Sequence, residues 1–187
     1  MSERRIALIG GGARSGKSAF ALALARRLGP RRAFVATAQA FDGEMQARIA
    51  QHVRARGDDF ETIEEPLDVP AKLRKLSNVD VVVVDCLTLW LSNLLSCDAS
   101  EVEISKRVDE LAQALERRSF HTVLVTNEVG MGVVPESELG RAFRDIAGRA
   151  HQRLSGIADD IYLAALGVVL RLRPPPISLE TLAASGG

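Results

Sequence analysis

The chain has 187 residues, 47% of them apolar, with 24 basic and 24 acidic side chains, three histidines and two cysteines. That length suits one domain able to bury about 70% of its unfolded surface without disulfides or a structural metal. Zero net charge argues against duplex nucleic acid or an anionic membrane as an electrostatic partner, so any bound anion is held locally.

Short β-branched runs alternate with helix-like segments, the pattern of a mostly parallel sheet flanked by helices. The first strand, Arg5–Ile9, runs into Gly11, Gly12, Ala13, Arg14, Ser15, Gly16, Lys17 and Ser18, which fit GxxxxGK[ST] ahead of an apolar-rich helix at Lys17–Leu28. Glycines let successive N–H groups turn toward phosphate oxygens, and a helix N-terminus adds partial positive charge. Lys17 would neutralise the β- and γ-phosphates, with the Ser18 hydroxyl on Mg²⁺. Only four of the 24 basic residues are lysines, which sharpens the assignment.

A second strand, Ala33–Thr37, precedes a helix at Gly43–Arg56, ended by Gly57. Met45, Ile49 and Val53 recur every four residues and predict its buried stripe. His52 lies at the stripe's edge, with Arg48 and Arg56 one turn to either side, so the three share a face. Two guanidinium groups would disfavour a protonated imidazole and suit phosphate oxygens. Spacing alone leaves His52 open as a nucleophile or as a packed helix-flank residue.

The strand Val79–Asp85 contains four consecutive valines, as in a central strand buried on both faces. Asp85 closes it as a candidate for holding the metal or its water, or as a carboxylate capping the next segment. Cys86 follows, with neither Cys86 nor Cys97 in a CxxC pair, so both are expected as free thiols. A helix at Glu101–Arg118, capped by Asp98 or Ser100, leads through His121 into the strand Thr122–Thr126. Glu128 just beyond fits an outer contact at the metal, a base, or a solvated loop acid. A helix at Glu136–Ala158 follows, then Ile161–Leu166 and Val168–Leu172 as an antiparallel hairpin about Gly167. Residues 1–173 are thus expected as a single nucleotide-binding domain and 174–187 as a tail, since three prolines end any ladder. No run reaches the ~18 apolar residues of a membrane span, and a cytoplasmic location is expected.

With these residues in place, the sequence resembles a known family. The segments GGARSGKS, Ala36-Thr37-Ala38, Glu44-Met45 with Arg48-Ile49 and His52, and TNEVGMGVVP from Thr126 to Pro135 occur there in the same order. So does Phe143–Arg149 with Gln152. The family is the bifunctional adenosylcobinamide kinase and adenosylcobinamide-phosphate guanylyltransferase of cobalamin biosynthesis, and the likeness runs from about Arg5 to Arg173. It implies a recombinase-like P-loop fold, a homotrimer and two reactions: phosphorylation of adenosylcobinamide by ATP or GTP, then GMP transfer from GTP through a guanylyl-histidine.

Matched residue by residue, the resemblance puts the histidine at His52. It puts the nucleotide contacts at Gly11 to Ser18, Ala36, Thr37, Ala38, Val53, Arg54, Ala55, Arg56, Glu64 and Asp85. Histidine suits such a relay because its phosphoramidate passes the nucleotidyl group onward. His151 stands where the family tends to have asparagine, whose donor and acceptor a neutral imidazole can copy. A plain small-molecule P-loop kinase without a covalent intermediate, and a non-enzymatic GTP-binding module, remain the competing readings.

Overall fold

The computed structural model describes residues 4–39 and 43–174. Seven strands form one sheet: β1 (Ile6–Gly11), β2 (Arg32–Ala36), β3 (Glu61–Glu64), β4 (Val81–Asp85), β5 (His121–Val125), β6 (Asp160–Ala165) and β7 (Val168–Arg173). Their order is β3-β2-β4-β5-β1-β6-β7. All neighbouring pairs are parallel except β6 and β7, which form the expected antiparallel hairpin. The α-helices among the described residues are α1 (Lys17–Leu28), α2 (Gly43–Arg56), α3 (Val69–Lys75), α4 (Leu87–Ser96), α5 (Glu101–Glu116) and α6 (Glu138–Ser155). Residues 175–187 of the expected tail lie outside the described residues.

The valine run is the centre of the core. Val81 to Val84 are all 0% exposed, each side chain contributing about 1.5–3 kcal/mol by leaving water. Val82 and Val84 face Trp90, Leu111 and Leu115 under α3 to α6. Val81 and Val83 face Ala21, Phe34 and Phe60 on the α1 side. The alternation follows from the two-residue period of a strand, so a run without polar residues needs cover on both faces.

Local signals set the helix ends. Ser100, one of the two expected caps, accepts from Glu103 N and completes a capping box with the Glu103 side chain. The last helix starts two residues later than Pro135 and Glu136 suggested, because Ser137 caps it by accepting from Gly140 N at 3.1 Å. Strand β3, helix α3 and helix α4 are elements that the pattern did not reveal. β3 has only four residues, and α3 is a seven-residue helix with a proline in its first turn. The sequence of α4, LTLWLSNLLS, is apolar on nearly every side and shows no one-faced stripe.

One expectation fails. The Met45–Ile49–Val53 stripe of α2 is not a core stripe: Val53 is 49% exposed and Ile49 half-buried, and both line an open cleft. The Met45 and Arg48 side chains lie outside the described residues. Arg56 is buried and His52 exposed, yet both line that cleft.

Candidate active site

Register aligns the strand ends. Ala36 pairs with Asp85, Asp85 with Val125, and Val125 with Ile9, so the loops after β2, β4, β5 and β1 leave one edge together. Over this carboxyl edge lies a cleft of about 1050 Å³, where ligands of parallel sheets gather.

The phosphate loop joins β1 to α1. A Cβ on Gly11 would collide with the Ala164 carbonyl of β6, and Gly16 sits at φ 93°, a conformation that L side chains rarely adopt. These two glycines therefore allow the turn. No side chain caps α1, which keeps its first N–H groups available to an anion. Lys17 is buried and donates from Nζ to Gly12 O at 2.9 Å. The buried Ser15 hydroxyl has no partner among the described residues.

Asp85 lies at the cleft, held close by its neighbours. Burial pushes its carboxyl above the usual aspartate range, against the opposing effects of the Ser18 hydroxyl hydrogen bond, His52, Lys17 and Arg56. Its backbone is fixed from β2. Thr37 Oγ1 donates to Cys86 O and accepts from Cys86 N, both at 2.8 Å, while Asn93 Nδ2 donates to Thr37 O at 2.8 Å.

His52 reaches the same cleft from α2, with Val53, Ala55 and Arg56. The Arg56 guanidinium lies 4.0 Å over the Phe34 ring, and burial lowers its pKa against the pull of Asp85 and Glu64. A charged group so placed stacks on an aromatic face while keeping its in-plane donors for a ligand. Glu64, from the end of β3, lines the cleft beside it.

The structure thus brings Ala13 to Ser18, Ala36, Ala38, His52, Val53, Ala55, Arg56, Glu64 and Asp85 to one cleft. Gly11 and Gly12 shape the loop beneath, Thr37 braces Cys86, and Arg54 is exposed and outside the lining. Sequence reading passed over Asn127, which lines the cleft from the end of β5. A lone asparagine has no spacing signal, although it stood inside the quoted TNEVGMGVVP segment.

Glu128 N donates to Gly11 O at 3.1 Å, and its carboxylate accepts from Gly130 N at 2.6 Å. His151 sits behind, its Nε2 2.7 Å from Thr126 Oγ1 and its Nδ1 3.9 Å from Glu128. Burial holds its pKa below the ordinary 6.5.

A phosphate loop, a carboxylate two strands away and a cleft over the carboxyl edge define a P-loop nucleotide-binding protein. The chain belongs to the family described as cobinamide kinase / cobinamide phosphate guanyltransferase, which it matches over residues 7–172. It is 42% identical over 171 residues to the bifunctional adenosylcobalamin biosynthesis protein CobP of Pseudomonas aeruginosa, covering 91% of this chain and 98% of that one. To CobU, of the same description, it is 37% identical in Escherichia coli and 39% in Salmonella typhimurium, covering 89% of this chain and 98% of each relative. Among solved structures it resembles a Pyrococcus horikoshii OT3 protein at a TM-score of 0.58 and 10% identity, over 96% of this chain and 91% of that one. It also resembles a RadB recombinase at 0.47 and 18%, over 85% and 73%. The former likeness bears on the fold alone.

Proposed function

We propose that this chain phosphorylates adenosylcobinamide with ATP or GTP and then transfers GMP from GTP to the resulting phosphate, giving adenosylcobinamide-GDP and pyrophosphate. The carrying observation is that the phosphate loop, Asp85 and the one histidine of α2 open into the same cleft, within a family whose description states both activities.

In the first reaction Lys17 and the α1 N–H groups take the β- and γ-phosphate oxygens, where charge accumulates as the phosphoryl group leaves. Ser18 and Asp85 fit a divalent cation such as Mg²⁺: a hydroxyl and a desolvated carboxylate face each other there, and Mg²⁺ takes few protein ligands beside phosphate oxygens. Such an ion supplies neutralisation of phosphate charge. In the second reaction a ring nitrogen of His52 bonds to the α-phosphorus of GTP as the bond to the pyrophosphate oxygen breaks, and pyrophosphate leaves. An oxygen of adenosylcobinamide phosphate then displaces the imidazole, carrying GMP away. Arg56 and Glu64 offer a donor face and an acceptor to the guanine. The chain works as a homotrimer in the cytoplasm, where ATP and GTP are supplied.

The test is product analysis. Adenosylcobinamide with ATP, then with GTP, yields first the phosphate and then the GDP derivative by mass. Lys17→Ala abolishes the first product and His52→Ala only the second. Equal phosphorylation by Lys17→Ala and the parent would contradict the reading.

A further inference from the structure

Across the carboxyl edge the groups lining the cleft follow strand order: Glu64 from β3, Ala36 and Ala38 from β2, Asp85 from β4, Asn127 from β5, then the phosphate loop from β1. Asn127 is therefore the polar side chain between Asp85 and the phosphate loop. That is the end of the cleft where terminal phosphates belong, beside Lys17, while His52 enters from the helix that joins β2 to β3.

The amide is oriented from behind. The Asn127 backbone N–H and Nδ2 both donate to Thr88 Oγ1, at 3.2 and 3.0 Å. Thr88 is itself buried, its hydroxyl 3.2 Å from Cys86 Sγ, and Cys86 is fastened at both backbone groups by Thr37. With Nδ2 turned to Thr88, Oδ1 is the atom left for the cleft, and no hydrogen bond reaches it among the described residues. An acceptor beside phosphate oxygens matches a proton donor, not another anion.

We propose that Asn127 Oδ1 accepts a hydrogen bond from the attacking hydroxyl of the alcohol in the phosphoryl-transfer step and aims its lone pair at the γ-phosphorus; this rests on the kinase reading above. The hydroxyl oxygen bonds to the γ-phosphorus as the bond to the β,γ-bridging oxygen breaks. The nucleoside diphosphate leaves with that electron pair, and the hydroxyl proton passes to water in the cleft. An amide does not take the proton, so Asn127 orients the nucleophile and is not its base.

Guanylylation of His52 involves no such hydroxyl, which gives the test. Full-length parent and Asn127→Ala are compared in two assays: adenosylcobinamide phosphorylation by saturating ATP, and formation of the GMP adduct from GTP without corrinoid. In Asn127→Ala the phosphorylation kcat falls about 10- to 100-fold, the span of one hydrogen bond near a charged centre, while KM for ATP and the adduct rate stay within about twofold. Thr88→Val, which releases the amide, gives the same split at smaller size and serves if the alanine variant folds poorly. Phosphorylation by Asn127→Ala within about twofold of the parent, or an equal fall in both assays, overturns the assignment. A parent protein inactive in both assays overturns the underlying reading instead, before any variant is compared.

Discussion

Thr37→Val isolates the brace beneath the cleft. Thr37 is 0% exposed, and its hydroxyl serves both backbone groups of Cys86 at 2.8 Å. Valine keeps the shape and removes the hydroxyl, leaving a buried donor and a buried acceptor unpaired. Each such orphan costs about 1–3 kcal/mol, so a loss of about 2–6 kcal/mol is expected, out of a total of about 5–15. For a chain of this size each kcal/mol lowers Tm by about 2–4 °C. Urea titration followed by the fluorescence of the single, fully buried Trp90 measures the loss directly. Thr37→Ser keeps the hydroxyl and forfeits only a methyl, about 1 kcal/mol. A Thr37→Val protein within about 0.5 kcal/mol of the parent, the span of an ordinary surface change, would refute the brace.

Three further outcomes follow from the charges and thiols. Burial raises the Asp85 pKa, so the folded state holds its proton more tightly than the unfolded chain. The nucleotide-free protein then loses stability as pH rises through the folded pKa; Asp85→Asn is more stable than the parent at pH 7, and the gain disappears below the ordinary 3.8. Equal stability at pH 7 in denaturant titrations would contradict this. His121 and His151 are both held below 6.5, mainly by burial; each contributes stability present above pH 6.5 and lost as pH falls through its folded pKa. His151→Asn, which keeps a partner for Thr126, removes its share of that acid loss, whereas His151→Leu costs about 1–3 kcal/mol at pH 7; thermal melts across pH distinguish them. Burial pushes the Cys86 thiol up to about 11 while Cys97 is exposed, so a thiol reagent at pH 8 modifies one cysteine of the native protein quickly and the second only on unfolding. Two fast thiols would place Cys86 wrongly.

The phosphate loop, the valine strand ending in Asp85 and the closing hairpin were legible because glycine turns, β-branched runs and a strand-end acid each have a local physical cause. Helix α2 departs from its periodic pattern for a physical reason. Ile49 and Val53 repeat as core residues do, but the surface they cover is the wall of a cleft, and periodicity does not distinguish a core from a ligand. Arg56 is buried over Phe34, a pairing between β2 and the end of α2 that no spacing announces. Asn127 depends on Thr88 and Cys86, residues 39 and 41 positions away, so its orientation is a property of the assembled sheet edge.

His52 is proposed to carry the nucleotide. Incubating the full-length protein with GTP and Mg²⁺ and weighing it intact tests this most directly. The expected result is an acid-labile adduct of one GMP, absent in His52→Ala and discharged by adenosylcobinamide phosphate. An unmodified mass with every divalent cation, or an adduct that persists in His52→Ala, would contradict it.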